Sequence, residues 1–212
     1  MDQVDETPMR IGLLADIHED VERVEAAIAR CRSAGADRLF TLGDIYLDGQ
    51  RFARTVQLLA QAGVRGVWGN HEVRLCHEPD DWVEQTFDAE TRRYMTQLRP
   101  RLEVEGVLLG HVLPRHDPTD FTHPWYIERP PLTAEEAIPD FAAFPHRRIF
   151  LGHYHRWLVV TPEGALPWSG EGPITFEPTR RYLVVVAAVC DGWCAVFDTD
   201  GGELVPHRMV PV

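Results

Sequence analysis

The chain has 212 residues, 44% of them hydrophobic and 25% charged, a composition typical of globular proteins and not of disordered or fibrous ones. This length predicts one domain, spanning residues 1–212, with a substantial core. The net charge of −12 argues against a protein that binds long nucleic acid, because such binding depends on cations that face phosphates. All 21 basic residues are Arg, which excludes mechanisms that need a lysine and makes Arg the expected cationic phosphate ligand.

Residues 1–8 are acidic and lack the basic region and apolar run of a signal peptide, and we expect them to be flexible. No stretch reaches the roughly 18 apolar residues that a membrane span needs. These features predict a cytoplasmic protein that does not associate with membranes. The cysteines form no CxxC pair and are assigned no chemistry: Cys31, Cys76, Cys190 and Cys194.

The first seventy residues alternate between predicted strands and predicted helices. Apolar runs at 9–15, 38–42 and 64–68 read as strands, and helical spacing of apolar residues appears at 21–31 and 52–62. Each strand ends in a polar loop. Such alternation indicates parallel strands joined by right-handed crossovers, and in these sheets ligands bind beyond the carboxyl ends of the strands.

The rest of the chain predicts a mixture of helices and mainly antiparallel strands. A charged, helical stretch at 79–98 leads to a hairpin with strands at 102–104 and 107–109. Residues 114–131, rich in Pro, Asp, His and aromatic side chains, are expected to form a surface excursion near the substrate entrance. The later predicted elements are a helix at 134–144 and strands at 148–151, 158–161, 183–190, 193–197 and 204–210.

Two short blocks after the first two predicted strands offer metal ligands. In the Asp-Ile-His sequence at 16–18, the first and third side chains project to the same side of an extended chain, so a carboxylate and an imidazole could meet one ion. In Gly43-Asp44, the carboxylate has two oxygens that could bridge two cations. Each block also has an ordinary explanation, a helix-capping Asp beside a surface His or a turn Asp, and alone neither block decides the function.

Three further blocks carry related chemistry. The Gly-Asn-His-Glu sequence at 69–72 combines a neutral amide ligand with a neighbouring proton donor, although an Asn in a left-handed turn explains the same residues. His111 follows the predicted hairpin, and a lone His in that position is more often structural. His153 and His155 lie two residues apart, so both imidazoles can point to one side and serve neighbouring ions.

The five blocks occur in order between residues 16 and 155, and as a set they resemble the calcineurin-like metallophosphoesterases. The resemblance implies an α/β fold, namely a four-layer αββα sandwich of two mixed β-sheets flanked by helices. It also implies two divalent metal ions, which in this fold are commonly manganese, iron, zinc or nickel. The implied metal ligands are Asp16, His18, Asp44, Asn70, His111, His153 and His155.

The resemblance also implies that Asp44 bridges the two ions. The other ligands divide into Asp16, His18 and His155 for one ion and Asn70, His111 and His153 for the other. The implied reaction is hydrolysis of a phosphodiester or a small phosphomonoester, with a metal-bridging hydroxide as the nucleophile. His71 is implied as a second catalytic residue beside Asp44, because its imidazole could protonate the leaving oxygen or bind a phosphate oxygen. A supporting role behind the ligands is the alternative for His71.

The small size and the order of the blocks are most similar to the compact bacterial phosphodiesterase-like branch of the family. That branch usually has an Asn-Pro-Gly-Ser segment where this chain has Val-Val-Ala-Ala at 185–188. Protein phosphatases commonly carry Arg before Gly-Asn-His-Glu, whereas this chain has Trp68, which disfavours a protein phosphatase. Arg74, Arg115 and His116 follow motif loops and are predicted to contact the substrate.

Two alternative functions stay open at this point. A non-catalytic interaction platform can use the same fold, but such a platform is free to lose its ligands, and here every ligand position is intact. A nuclease like the repair enzymes of the family is disfavoured because the chain is short and acidic. The sequence indicates neither the oligomeric state nor the natural phosphate-ester substrate.

Overall fold

The structure of the protein is a computed structural model that describes residues 9–120 and 125–209. The predicted flexibility of residues 1–8 concerns a segment outside these ranges. The helices are α1 (Val21–Ser33), α2 (Phe52–Gln61), α3 (Val73–Cys76), α4 (Asp81–Thr86), α5 (Ala89–Met95) and α6 (Ala134–Ala143), with a 3₁₀ turn at Trp125–Ile127. The strands are β1 (Arg10–Leu14), β2 (Arg38–Leu42), β3 (Arg65–Val67), β4 (Leu102–Val104), β5 (Val107–Leu109), β6 (Arg148–Leu151), β7 (Leu158–Thr161), β8 (Gly164–Ala165), β9 (Ile174–Thr175), β10 (Tyr182–Val185), β11 (Trp193–Asp198) and β12 (Glu203–Arg208).

Side-chain caps explain where several helices begin. Asp20, Asp80 and Asp88 each accept a hydrogen bond from a backbone N–H in the first turn of α1, α4 and α5. Thr133 and Glu136 form a reciprocal capping box at the start of α6. The Asp88 cap divides the predicted helical stretch at 79–98 into two short helices.

Each sheet contains three adjacent parallel strands. The first sheet has the order β3-β2-β1-β11-β12-β9, and β1, β2 and β3 are parallel, as the strand–helix alternation predicts. The second sheet has the order β4-β5-β6-β10-β7-β8, with β5, β6 and β10 parallel. The remaining neighbours in both sheets are antiparallel, so both sheets are mixed.

Three hydrophobic clusters define the layers of the fold. Leu13 and Leu42 of the first sheet belong to the same buried cluster as Phe150 and Val184 of the second sheet, so these faces pack against each other. A second cluster joins the other face of the first sheet to α1 and α2, and a third joins the second sheet to α6. This arrangement confirms the four-layer αββα sandwich of two mixed sheets.

One predicted strand is wrong over more than half its length. The apolar run at 183–190 predicts a single strand, but β10 ends at Val185. Beyond it, the N–H groups of Val189 and Cys190 donate to the carbonyls of Ala15 and Asp16, at 2.7 and 3.2 Å. The chain therefore crosses from the second sheet to the end of β1. The run is apolar because this crossing is buried, and hydrophobicity alone does not distinguish a buried crossing from a buried strand.

The carboxyl ends of β1, β2, β3, β5 and β6 all lead into the polar blocks singled out in the sequence. The crossing segment joins the two sheets at the same edge, because it bonds to residues at the end of β1. In the described ranges, no helix is long and apolar enough to span a membrane.

Candidate metal centre

The seven predicted ligands lie together at the shared edge of the two sheets. Direct backbone hydrogen bonds join the loops that carry them: Ile17 and His18 donate to the Asp44 carbonyl at 2.7 and 2.9 Å. The backbone N–H of His153, from the second sheet, donates to both carboxylate oxygens of Asp16, at 2.8 and 3.0 Å. The site is thus built from both sheets and is held by main-chain contacts.

One group of ligand atoms surrounds His155. Its Nε2 atom lies 3.1 Å from His18 Nε2 and 3.8 Å from Asp16 Oδ1. Asp44 Oδ2 lies 3.9 Å from His18 Nε2. Atoms bound to one ion at about 2.0–2.2 Å lie about 3–4 Å from each other, so these four side chains have spacings suited to a single divalent cation.

A second group surrounds His111 and shares the Asp44 carboxylate. His111 Nε2 lies 3.0 Å from Asn70 Oδ1 and 3.3 Å from Asp44 Oδ2. His153 completes the group, since Asp44, His111 and His153 each offer a ligand atom within 4.8 Å of the others. Asp44 Oδ2 lies within 4 Å of His18 Nε2 in the first group and of His111 Nε2 in the second, which is where a bridging ligand would lie.

Hydrogen bonds to the imidazoles determine which nitrogen faces the centre. His111 Nδ1 donates to the Leu42 carbonyl at 2.7 Å, so Nε2 is the atom directed at the oxygens of the second group. His155 Nδ1 lies 3.2 Å from Asp191 Oδ2 and donates to it, which leaves Nε2 to act as a ligand. His153 Nε2 donates to the Tyr126 carbonyl at 3.0 Å, so Nδ1 carries the lone pair that a metal needs.

Five predicted ligands have backbone conformations that side chains other than Gly rarely adopt. Their φ angles are +51° for Asp16, +47° for His18, +54° for Asp44, +76° for His153 and +50° for His155. Non-glycine residues in this region are strained and persist only where surrounding contacts hold them. The strain coincides with the candidate site, as expected where geometry is maintained for function.

Burial and neighbouring charges shift the pKa values of the side chains at the centre. Burial alone would lower the pKa of His111, but the Asp44 carboxylate outweighs burial and raises that pKa to about 9. Burial opposes ionisation of Asp44, yet His111 and His71 hold its pKa well below the ordinary value. Complete burial raises the pKa of Asp16 well above its ordinary value, and burial lowers that of His153 to about 4. A cation at this place would compensate the buried carboxylates.

The raised pKa of His111 predicts how pH affects protein from which metal has been removed. The folded chain holds this proton up to about pH 9, whereas the ordinary value is 6.5, so the stabilisation is complete below pH 6.5 and is lost towards pH 9. The lowered pKa of His153 has no further effect above 6.5. We expect chelator-treated protein to lose about 1–2 kcal/mol of stability between pH 7 and 8.5.

Thermal unfolding in EDTA at the two pH values tests this prediction. Added divalent metal should stabilise the protein more at pH 8.5 than at pH 7, because the ligands bind metal in their deprotonated form. An unfolding temperature in EDTA that rises between pH 7 and 8.5 would be incompatible with a protonated His111 in the metal-free fold.

Gly69 is required by the close approach of two loops. A Cβ atom there would overlap Asp44 Oδ1 and would lie 2.5 Å from the backbone nitrogen of Asp44 and 2.7 Å from His111 Cε1. We expect Gly69→Ala to weaken divalent-metal binding at least about tenfold, because it displaces a predicted ligand. Metal titration followed by calorimetry measures this, with Gly172→Ala as the control, since a Cβ at Gly172 meets nothing within 4 Å. Equal metal affinity in the two variants would refute the prediction.

Two buried glutamates brace the ligand loops and were not identified as site residues from the sequence. Glu72 accepts hydrogen bonds from the N–H groups of Gly69 and Ile45, at 2.9 and 3.1 Å, and burial raises its pKa to about 7. Glu19 accepts from four N–H groups of the loop that follows Asp44. In the sequence, both glutamates are marked only by their position at the end of a predicted block or directly after it. The N–H groups to which they bind are determined by the fold.

Cys190, to which the sequence analysis assigned no chemistry, borders the first group. Its Sγ atom lies 3.8 Å from His155 Nδ1, and His18, His155 and Cys190 each offer a ligand atom within 4.8 Å of the others. The four cysteines are free thiols. Cys190 could not be identified from the sequence, because its approach to His155 depends on the crossing between the sheets.

The three predicted substrate contacts lie in different surroundings. Arg74 is highly exposed and lines a cavity together with Asn70 and His71. Arg115 instead pairs with the buried Asp140, with Nη2 3.4 Å from Oδ2. His116 Nε2 lies 3.0 Å from Glu128 Oε2. The structure therefore brings Arg74 beside the candidate centre, while Arg115 and His116 contact residues of the neighbouring α6 and of the 114–131 segment.

His71 lies between the candidate centre and the same cavity. Its backbone N–H donates to Asp44 Oδ1 at 3.1 Å, and its ring meets the His18 ring edge to face at 4.8 Å. The imidazole itself is exposed. The cavity has a volume of about 670 Å³, and Tyr126, from the described part of the 114–131 segment, is also in its wall.

Comparison with known proteins gives a matching family model and similar solved folds. Residues 9–168 match the family model of the calcineurin-like phosphoesterase superfamily domain. The chain is 26% identical to an uncharacterized protein of Methanocaldococcus jannaschii, over 82% of this chain and 73% of that protein. Its fold is similar to that of a metallophosphoesterase from Sphaerobacter thermophilus, with a TM-score of 0.76 and 23% identity over 97% of this chain and 90% of that one. A putative diadenosine tetraphosphatase superimposes with a TM-score of 0.58 and 16% identity, over 98% of this chain and 96% of that one.

The chain belongs to the calcineurin-like phosphoesterase superfamily, because the family model covers most of its length. The resemblance found in the sequence is thereby confirmed. This chain covers 90% and 96% of the two similar solved structures, so the likeness extends over nearly the whole fold of each. The family generally binds divalent metals, and the described side chains include the His and Asp groups that could hold them.

Proposed function

We propose that the protein is a phosphoesterase with two divalent metal ions, which hydrolyses a phosphodiester or a small phosphomonoester. The observation that carries the proposal is the Asp44 carboxylate, whose Oδ2 atom lies 3.3 Å from His111 Nε2 and 3.9 Å from His18 Nε2, between two groups of converging ligands. Asp16, His18 and His155 would hold one ion, and Asn70, His111 and His153 the other. When bound, such a pair of ions activates water as a nucleophile and neutralises charge on the phosphate.

The protein's own contribution is to fix the ligands before substrate arrives. Main-chain bonds from His153 orient both oxygens of Asp16, and the Asp191 carboxylate orients the His155 ring. Such partners keep the lone pairs directed at the centre and prevent other rotamers from competing. The strained backbone of the ligand loops is stabilised by the same contacts.

His71 is positioned to act on the leaving group. Its exposed imidazole borders both the candidate centre and the 670 Å³ cavity, so an ester oxygen that leaves the phosphorus towards the cavity would pass within its reach. An imidazole can donate a proton near neutral pH. We therefore assign His71 the protonation of the leaving oxygen.

Two features favour a small substrate. The net charge of −12 repels long nucleic acid, and the cavity has the size of a small-molecule site. The similarity of the fold to a putative diadenosine tetraphosphatase is in keeping with a small phosphate compound. A non-catalytic platform would not need five strained residues at the ligand positions, so we place hydrolysis first.

Turnover with added metal tests the proposal. Protein treated with chelator and then supplied with manganese should hydrolyse bis(4-nitrophenyl) phosphate or 4-nitrophenyl phosphate, and renewed chelation should abolish the activity. Manganese, iron, zinc and nickel are compared in parallel, because mixed nitrogen and oxygen ligands do not by themselves select one of them. Failure to hydrolyse either ester with any of the four metals would defeat the proposal.

A further inference from the structure

The cavity beside the candidate centre has an aromatic wall. Asn70 and His71 line it, and so do the rings of Tyr46 and Trp82. Trp82 is 52% exposed, which is unusual for so large an apolar side chain. Exposed apolar surface that is gathered in a cavity next to a reactive centre marks a ligand-binding site more often than an accident of the surface.

Trp82 is presented by a rigid local structure. It lies in the first turn of α4, where Asp80 Oδ1 accepts hydrogen bonds from the N–H groups of Trp82 and Val83, at 3.1 and 3.3 Å. Its indole ring meets Phe87 in a T-shaped contact with centroids 5.6 Å apart. Phe87 packs in turn against the buried Phe52 at 5.3 Å. The indole is therefore held in place on one side while half of its surface faces solvent.

The same wall carries one cation and one anion, Arg74 and Asp80, which form an exposed ion pair. Arg74 Nη2 lies 3.9 Å from Asp80 Oδ2, with the two side chains 86% and 58% exposed. An ion pair this exposed contributes little to stability, so both groups can exchange it for ligand contacts at small cost. A guanidinium suits further phosphate oxygens, and a carboxylate accepts hydrogen bonds from hydroxyl or amino groups.

We infer that this cavity binds the nucleoside part of a nucleotide phosphate ester, with the base stacked on Trp82 and the phosphate at the candidate metal centre. The inference rests on the proposed function and specifies its substrate class. A base offers a π face to the indole, and its polar edge and the ribose hydroxyls match Asp80 and Arg74. Lipid chains would instead require a continuous apolar groove, which the polar groups of Asn70, His71, Arg74 and Asp80 interrupt.

Two ligands that differ only in the base provide the test. The probes are the phosphonate analogues of adenosine 5′-monophosphate and of ribose 5-phosphate, in which carbon replaces the ester oxygen and prevents hydrolysis. Calorimetric titration of manganese-loaded protein should show that the adenosine analogue binds at least about tenfold more tightly, as expected for one stacked base. Equal affinities, or no binding of either analogue, would overturn the inference.

Variants of Trp82 test whether its indole ring causes the preference for the adenosine analogue. Trp82→Ala should abolish the difference between the two analogues, whereas Trp82→Phe should keep most of it, because a phenyl ring still stacks. Ile138→Ala serves as the matched control, since Ile138 is also an exposed apolar side chain but lies on α6. A preference that survives in Trp82→Ala would refute a role for this indole. Thermal unfolding of each variant establishes that the fold is intact.

Failure of this inference is distinguishable from failure of the proposed function. Manganese-dependent hydrolysis of bis(4-nitrophenyl) phosphate is measured on the same preparations. Hydrolysis without preference for the adenosine analogue would remove the nucleoside site and leave the phosphoesterase. Base-dependent binding without hydrolysis of any ester would support the nucleoside site and contradict the catalytic proposal.

Discussion

Replacement of Asp44 by Asn should reduce metal-dependent phosphodiester hydrolysis at least about a thousandfold. Asp44 is almost completely buried, and its Oδ2 atom is the oxygen shared by the two ligand groups. Asn has the same shape but no charge and only one oxygen, so it cannot bridge two cations with the same charge compensation. Initial rates with bis(4-nitrophenyl) phosphate and saturating manganese measure the effect.

Asp200→Asn is the matched control for this experiment. Asp200 is an exposed carboxylate in the turn between β11 and β12, far in sequence from every ligand block. The same change of charge there should leave the rate within about twofold of the parent, as expected for a surface substitution. If Asp44→Asn kept more than about a tenth of the parent activity, Asp44 would not bridge two catalytic ions.

Replacement of His71 by Asn should produce a loss that depends on the leaving group. We expect hydrolysis of diphenyl phosphate to fall by about 10²–10⁴-fold, because phenolate is basic and benefits from a proton donor. Hydrolysis of bis(4-nitrophenyl) phosphate should fall much less, since nitrophenolate leaves without a proton. The metal content should stay unchanged, because His71 is not one of the seven predicted ligands and the hydrogen bond that holds Asp44 Oδ1 comes from its backbone N–H, which Asn keeps.

His77→Asn is the control for a histidine change near the same loop. His77 is also exposed, and its ring lies 6.1 Å from that of Trp68 and not at the candidate centre. Both esters should be hydrolysed at parental rates. An equal loss on both esters in His71→Asn would indicate that His71 binds a phosphate oxygen, and a loss of metal would indicate that it supports the ligands.

Much of the fold could be predicted from the sequence, because strong local patterns survive in the structure. The strands at 38–42, 102–104 and 107–109 have the predicted bounds, and the αββα arrangement is confirmed. The predictions are least reliable where a buried segment does not belong to a strand or helix, and where a strand is very short. The crossing after Val185 is as apolar as a strand, and the two-residue strands β8 and β9 are too short to give a periodic pattern.

Part of the candidate site could likewise be predicted from the sequence, and part could not. The order of the ligand blocks in the chain carried the family prediction, and the structure places Asp16, Asp44 and His111 within one buried cluster of charges. Their roles as metal ligands stay predictions. Cys190 and the aromatic wall around Trp82 could not be predicted, because their proximity to the site depends on contacts between segments far apart in sequence.

The number of divalent ions bound per chain tests the central claim most directly. Protein is treated with chelator, loaded with manganese, passed through a desalting column and analysed for metal and protein together. Two ligand groups that share Asp44 predict two manganese ions per chain in the parent and no more than one in Asp44→Asn. A parent that binds no ion or only one, with any of the four candidate metals, would contradict the dinuclear centre.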